Sequence, residues 1–403
     1  MQCCRVIYSG PLIPSRRTRG GMRLEDLKKE WKGSVLEYLA SVEDPRVART
    51  RAHPLENILV IALLAVICGA ESFVDMQKFG ESKREFLEDL LDLSSGIPSH
   101  DTFGRVLAML NPSSLEAAFR EWTAVLVQAT AGQVVALDGK TLRRSFQRAG
   151  DKAFVHMVSA WATKNRVVLG QIRTDAKSNE ITAIPQLIEL LQLKGAMVTI
   201  DAMGCQRDIA QAIVNAGADY MLAVKDNQPS LKTALDTAFK QAEHDPEFEK
   251  NVDFAETANK GHGRTEVRRC LVCYNLDGIT AQERWTNLAS VVRVTTKRTV
   301  GGKTSEETRS FICSRRLSAS EALATARAHW GIENELHWVL DVTFREDDCR
   351  VRAGNAAENF AVIRHFALNL LKGAKSTASV RGRRKIAGWD NRFLLQVLMG
   401  GGN

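Results

Sequence analysis

Apolar residues at Leu27, Trp31, Val35, Leu36 and Leu39 recur every three or four positions with charged residues between them, the stripe of an amphipathic helix. The pattern stays helical from residue 24 to about 130. Within it, Leu55 to Cys68 is apolar nearly all round, which predicts a buried central helix; the longest apolar run, residues 58–70 (ILVIALLAVICGA), is shorter than the roughly 20 residues that cross a bilayer. Ser99 is placed to cap the helix that follows Gly96-Ile97-Pro98, and Ser113 with Glu116 fits a capping box for the next one. Helices joined this way suit a DNA-reading helix-turn-helix or plain helical packing.

At Val134 the period shortens. Residues 134–138 read as a buried strand, and 154–163 with 166–173 as a hairpin turning at Lys164-Asn165. A helix (180–193), a strand ending in Asp201, a helix (206–214), a strand (220–224) and a helix (230–242) continue an α/β alternation, which implies a sheet with helices packed on it. From 253 to 313 the segments are β-type and rich in Thr, Val and Arg, as in an insertion. Helical signals return at Ser318, where Glu321 completes a capping box, and run through HWGIENELHWVLDVTF and 356–371 to a basic tail with Arg381, Arg383, Arg384 and Lys385.

Composition narrows this picture only slightly. A chain of 403 residues, 44% hydrophobic and 25% charged, is that of a globular protein of two or three domains. The net charge of +8 suits a polyanionic partner. Eight scattered cysteines imply reduced thiols. Cys270 and Cys273 lie three apart in a strand and face opposite sides, which argues against zinc. Residues 1–22 lack the apolar core of a secretory signal and read as a disordered leader, or as codons ahead of a start at Met22.

The chemistry concentrates in three places. Asp138 and Asp201 each end an apolar strand just before a glycine-containing turn; adjacent strands would bring both carboxylates to one edge of the sheet. Unneutralised, they would raise each other's proton affinity, and hard oxygen donors of this kind suit Mg²⁺ or Mn²⁺. Glu333 is the best third donor, flanked at helical spacing by His329 and His337, with Glu335 pointing away. Gly139-Lys140-Thr141 resembles the end of a P-loop, but the required earlier glycine is Val134, so Lys140 is at most a phosphate contact. Arg143, Arg144, Lys225, Arg264, Arg268, Arg298 and 381–385 are candidate contacts to a DNA backbone, and Glu346, Asp347 and Asp348 read as a solvated acidic turn.

The succession ALDGKTLR, KSNEITAIPQLIELLQLKGAMVTIDAMGCQ and HWGIENELHWVLDVTFREDD resembles insertion-sequence transposases of the ISAs1 type, within the ribonuclease H-like DDE superfamily. The resemblance implies an α/β, ribonuclease H-like catalytic domain with a mixed sheet (131–250 and 316–375). It also implies a β-rich insertion (251–315) before the last catalytic helix, an all-α N-terminal domain (23–130) and a basic C-terminal tail (376–403). It further implies Asp138, Asp201 and Glu333 as catalytic ligands of two Mg²⁺ (or Mn²⁺) ions. His329, His337 and Lys140 would be auxiliary. The partner would be double-stranded DNA, transposon ends and target, held by a homodimer in the bacterial cytoplasm, nucleoid-associated and with no membrane. Where the IS4-type signature has tyrosine, arginine and lysine, this chain has Ala326, His329 and Leu340. A silent DNA-binding remnant and a cellular nuclease are the rival functions.

Overall fold

The computed structural model describes residues 33–127, 130–143, 155–174, 180–242, 248–261, 263–277, 279 and 285–400. The helices α1 (Val35–Ala40), α2 (Leu55–Cys68), α3 (Phe73–Ser82), α4 (Arg84–Glu88), α5 (His100–Met109) and α6 (Pro112–Leu126) come first. Ser99 caps α5 as expected, accepting from the Thr102 amide. The expected Ser113–Glu116 box does not form: Asn111 caps α6 with Pro112 in its first turn, and Glu116 is buried.

The next elements are β1 (Val134–Leu142), β2 (Val155–Ala162), β3 (Val167–Arg173), α7 (Glu180–Leu190), β4 (Met197–Ile200), α8 (Arg207–Asn215), β5 (Asp219–Val224), α9 (Pro229–Ala242) and α10 (Phe248–Asn251). Then β6 (Val252–Gly261), β7 (Arg264–Cys273), β8 (Ser290–Val300) and β9 (Lys303–Cys313) form antiparallel hairpins. All nine strands join one mixed sheet in the order β3-β2-β1-β4-β5-β9-β8-β7-β6. β1, β4 and β5 run parallel; every other neighbour is antiparallel. The β-rich segment therefore extends the central sheet through β9 on β5.

The chain closes with α11 (Ala319–His329), a π-helical segment (Ile332–His337), α12 (Trp338–Thr343), α13 (Ala356–Gly373), α14 (Val380–Trp389) and α15 (Asn391–Leu398). Side chains alternate across β1: Val135 and Leu137 enter the core beneath α7, α8 and α9, whereas Ala136 enters a second core on the opposite face. That second core joins α2, α5, α6, Trp161, Ile332, Leu336, α13 and the apolar faces of α14 and α15. The leading helices thus share their interior with the sheet. The basic segment after 376 is likewise two packed helices, with Ala387, Leu394, Val397 and Leu398 fully buried. Helix α2 is the buried central helix the sequence predicts, and among the described residues no single helix is long and apolar enough to cross a membrane.

Candidate active site at the carboxyl edge of the central strands

Leu137 on β1 pairs with Ile200 on β4 in parallel register, so Asp138 and Asp201 are the next residues along two neighbouring strands. Each carboxylate is oriented by backbone amides just after it, but only Asp201 opens a turn: β1 does not end at Asp138 as the sequence suggests, and runs on through Gly139 to Leu142 paired with β2. Asp138 Oδ1 accepts from the Gly139 amide at 3.0 Å, and its Oδ2 lies 3.3 Å from His337 Nδ1. Asp201 Oδ1 accepts from the Met203 and Gly204 amides at 3.0 and 3.4 Å. Asn227 and Gln228, just beyond β5, brace that turn by donating to the Ala202 and Cys205 carbonyls at 2.6 and 2.9 Å. Burial, then the charges of Asp138 and Glu180, hold the Asp201 carboxyl above the usual range despite the Gly204 amide. Two hard oxygen donors repelling each other at one edge fit a divalent cation.

Glu333 sits in the π-helical segment between α11 and α12, a local widening that often marks functional positions. Its two flanking histidines are both anchored to the aspartate strands. His337 meets Asp138, and His329 Nδ1 lies 3.0 Å from the Thr199 hydroxyl on β4, two residues before Asp201. Burial lowers the His329 pKa against the pull of Asp138 and Asp201. Glu333 itself is exposed. Glu335 turns the other way, to Arg166 at 2.8 Å and Lys372 at 3.4 Å. Among the described residues no group of three or more His, Cys, Asp or Glu side chains is close enough to hold a metal ion. The structure thus brings Asp138 and Asp201 together without closing Glu333 onto them.

Two expectations need correction. Lys140 is no surface phosphate contact: its ammonium is bonded to Asp341 and, at 2.7 Å, to Glu346. Nor is 346–348 a fully solvated turn, because Glu346 is buried between Lys140 and Arg364. Burial works against the Glu346 charge, but Lys140, Arg364 and His365 together hold its carboxyl down at about 2. Burial also opposes the Lys140 charge, yet the two carboxylates raise its proton affinity.

Glu180, the first residue of α7, went unnoticed in the sequence. Its Oε1 lies 2.7 Å from His156 Nε2, and His156 Nδ1 lies 2.8 Å from the hydroxyl of its cross-strand partner Thr141. The pair sits over Gly139, where an added Cβ would stand 2.0 Å from Glu180 Oε1. Only the strand register, pairing Thr141 with His156, could have signalled it.

Several basic candidates are occupied. Arg264, Arg268 and Arg298 all converge on Glu266. Arg383 donates to the Leu371, Lys372, Ser376 and Ala378 carbonyls at the end of α13, and Arg384 reaches the Thr343 and Val66 carbonyls. These two arginines are staples of the fold, because a buried carbonyl left without a donor is costly. Lys225 is exposed directly after β5, at the edge that carries the aspartates. Arg143 is exposed and lies 3.2 Å from Asp347; Arg144 falls outside the described residues. Cys270 and Cys273 enter different cores, as their spacing implies.

Residues 129–370 match the family model described as a transposase DDE domain, and 36–123 match the associated DDE_Tnp_1-associated model. YbfL of Escherichia coli K12 is 40% identical over 375 residues, covering 91% of this chain and 98% of its own. The H repeat-associated protein YhhI of the same strain is 39% identical, with coverage of 91% and 98%, and its name provisionally assigns it to the transposases. A piggyBac transposase synaptic complex with hairpin DNA aligns with 91% of this chain and 78% of its own at a TM-score of 0.35 and 10% identity, a likeness that carries no argument. With the DDE domain model spanning more than half of its length, this chain belongs to the DDE-type insertion-sequence transposases.

Proposed function

We propose that this protein is an ISAs1-type transposase that cleaves at the inverted-repeat ends of its own element and joins the freed 3′-OH to target DNA. The supporting observation is the anchoring of both histidines that bracket Glu333 on the strands of the two aspartates. The strand order β3-β2-β1-β4-β5, antiparallel then parallel, supports a ribonuclease H-like catalytic core.

Asp138 and Asp201, joined by Glu333 as its exposed side chain turns inward, are the residues that would hold two divalent ions, Mg²⁺ or Mn²⁺. Such ions activate a water or hydroxyl nucleophile and stabilise the leaving oxygen of a phosphodiester. The chain's own part is positional. The Gly139 amide and His337 orient the Asp138 carboxylate, and the Met203 and Gly204 amides orient that of Asp201. Hydrogen bonds of this kind to a carboxylate fix the direction in which it offers its oxygens. Lys225 stands at the edge of the aspartates to meet the DNA backbone, and Arg143, exposed just beyond the end of β1, is a further contact to it.

Purified protein incubated with Mg²⁺ and DNA carrying the flanking element ends should produce specific 3′-OH termini. Asp138→Ala, Asp201→Ala and Glu333→Ala should each fold and bind those ends while cleavage falls below detection. Normal cleavage by any one variant would remove that residue from the site.

A further inference from the structure

Lys140 lies two residues after Asp138 on the same face of β1. Asp341 lies four residues after His337, one turn further along α12. Two strand residues advance about 7 Å and four helix residues about 6 Å. The two contacts, Asp138 with His337 and Lys140 with Asp341, therefore match in spacing, and they set helix and strand side by side in one register. Glu346 closes the arrangement: it accepts from Lys140 at 2.7 Å and faces the Arg364 guanidinium of α13 at 3.6 Å. Arg364 stacks on Phe360 with its Cζ 3.9 Å from the ring centre, so the anchor behind Glu346 is itself packed. Asp341 is eight residues beyond Glu333, and nothing but the continuous π-helical and α-helical run separates them.

We propose that Lys140, through Asp341 and Glu346, is a positioning residue that fixes the register of the Glu333-bearing helix against the strand of Asp138. The inference rests on the assignment of Asp138, Asp201 and Glu333 as metal ligands. It differs from a phosphate contact in what it controls: a phosphate contact sets DNA affinity and its salt dependence, whereas a register lock sets whether the acids meet.

The test uses the full-length protein and two readouts, Mn²⁺ binding followed by electron paramagnetic resonance and DNA-end binding as a function of salt. Lys140→Met and the milder Asp341→Asn, whose side chain is one-third exposed, are compared with Lys140→Arg. The expected result is Mn²⁺ affinity weakened by about 10–100-fold in Lys140→Met and Asp341→Asn, as when the groups that hold a metal ligand in place are lost. Lys140→Arg should recover part of it, and DNA affinity and its salt slope should stay unchanged. Unaltered Mn²⁺ affinity in a folded variant, or a salt slope lowered by about one charge, would overturn the proposal. If Lys140→Met does not fold, Asp341→Asn decides on the same readouts. Failure of the ligand assignment looks different: wild-type protein and Asp138→Ala would then bind Mn²⁺ alike.

Discussion

Gly139 lies inside β1, between side-chain groups on the two faces of the strand. On one face are Lys140 and the Asp138–His337 contact; on the other, Glu180 and His156 close over the missing Cβ. An alanine there would place its Cβ 2.0 Å from Glu180 Oε1 and 2.6 Å from His156 Nε2. Gly139→Ala should therefore cost about 1–3 kcal/mol, the range for overpacking a tight site, as measured by denaturant unfolding. It should also reduce strand cleavage, because the strain falls on the backbone that carries Asp138. Wild-type stability and cleavage would show that the Glu180–His156 pair yields freely. The sequence reads the Asp-Gly pair as a strand end, whereas β1 runs on to Leu142; the reason for the glycine is not local either, since Glu180 arrives from α7.

At the scale of elements, short apolar runs located β4, β5, the helices between them and β1 as far as Asp138; the pairing that makes the strands of Asp138 and Asp201 neighbours is seen only in the sheet. What local pattern could not reveal was burial by distant partners. Glu346-Asp347-Asp348 reads as a solvated turn, yet Lys140 and Arg364 from two other elements enclose Glu346. The Glu346 carboxyl is held at about 2, below its ordinary range, so it contributes stability above about pH 4.5 that is lost as the pH falls toward 2. Glu346→Gln leaves the buried Arg364 without its carboxylate and Lys140 with Asp341 alone. It should lower stability by about 3–5 kcal/mol at neutral pH, with the gap closing as the pH falls from about 4.5. Unfolding curves across that window check this; a gap independent of pH would mean that the charge is not what Glu346 supplies.

For the molecule as a whole, the order of motifs identified the family while the sheet and cores had to be seen. The β-rich segment reads as an insertion, but β9 pairs with β5 and carries the central sheet outward. The leading helices read as a domain, but they share one interior with α13, α14, α15 and the sheet face beneath Asp138. The helix of Glu333 is seated on that shared interior through Ile332 and Leu336, so the site depends on segments from both ends of the described chain. Whether Glu333 joins the two aspartates on a metal ion is the central claim. Replacing it with a thiol tests this directly, because Mn²⁺ tolerates a softer ligand better than Mg²⁺ does. Glu333→Cys should cleave element-end DNA poorly in Mg²⁺ and regain cleavage in Mn²⁺; cleavage at the wild-type rate in Mg²⁺ would show that Glu333 holds no metal ion.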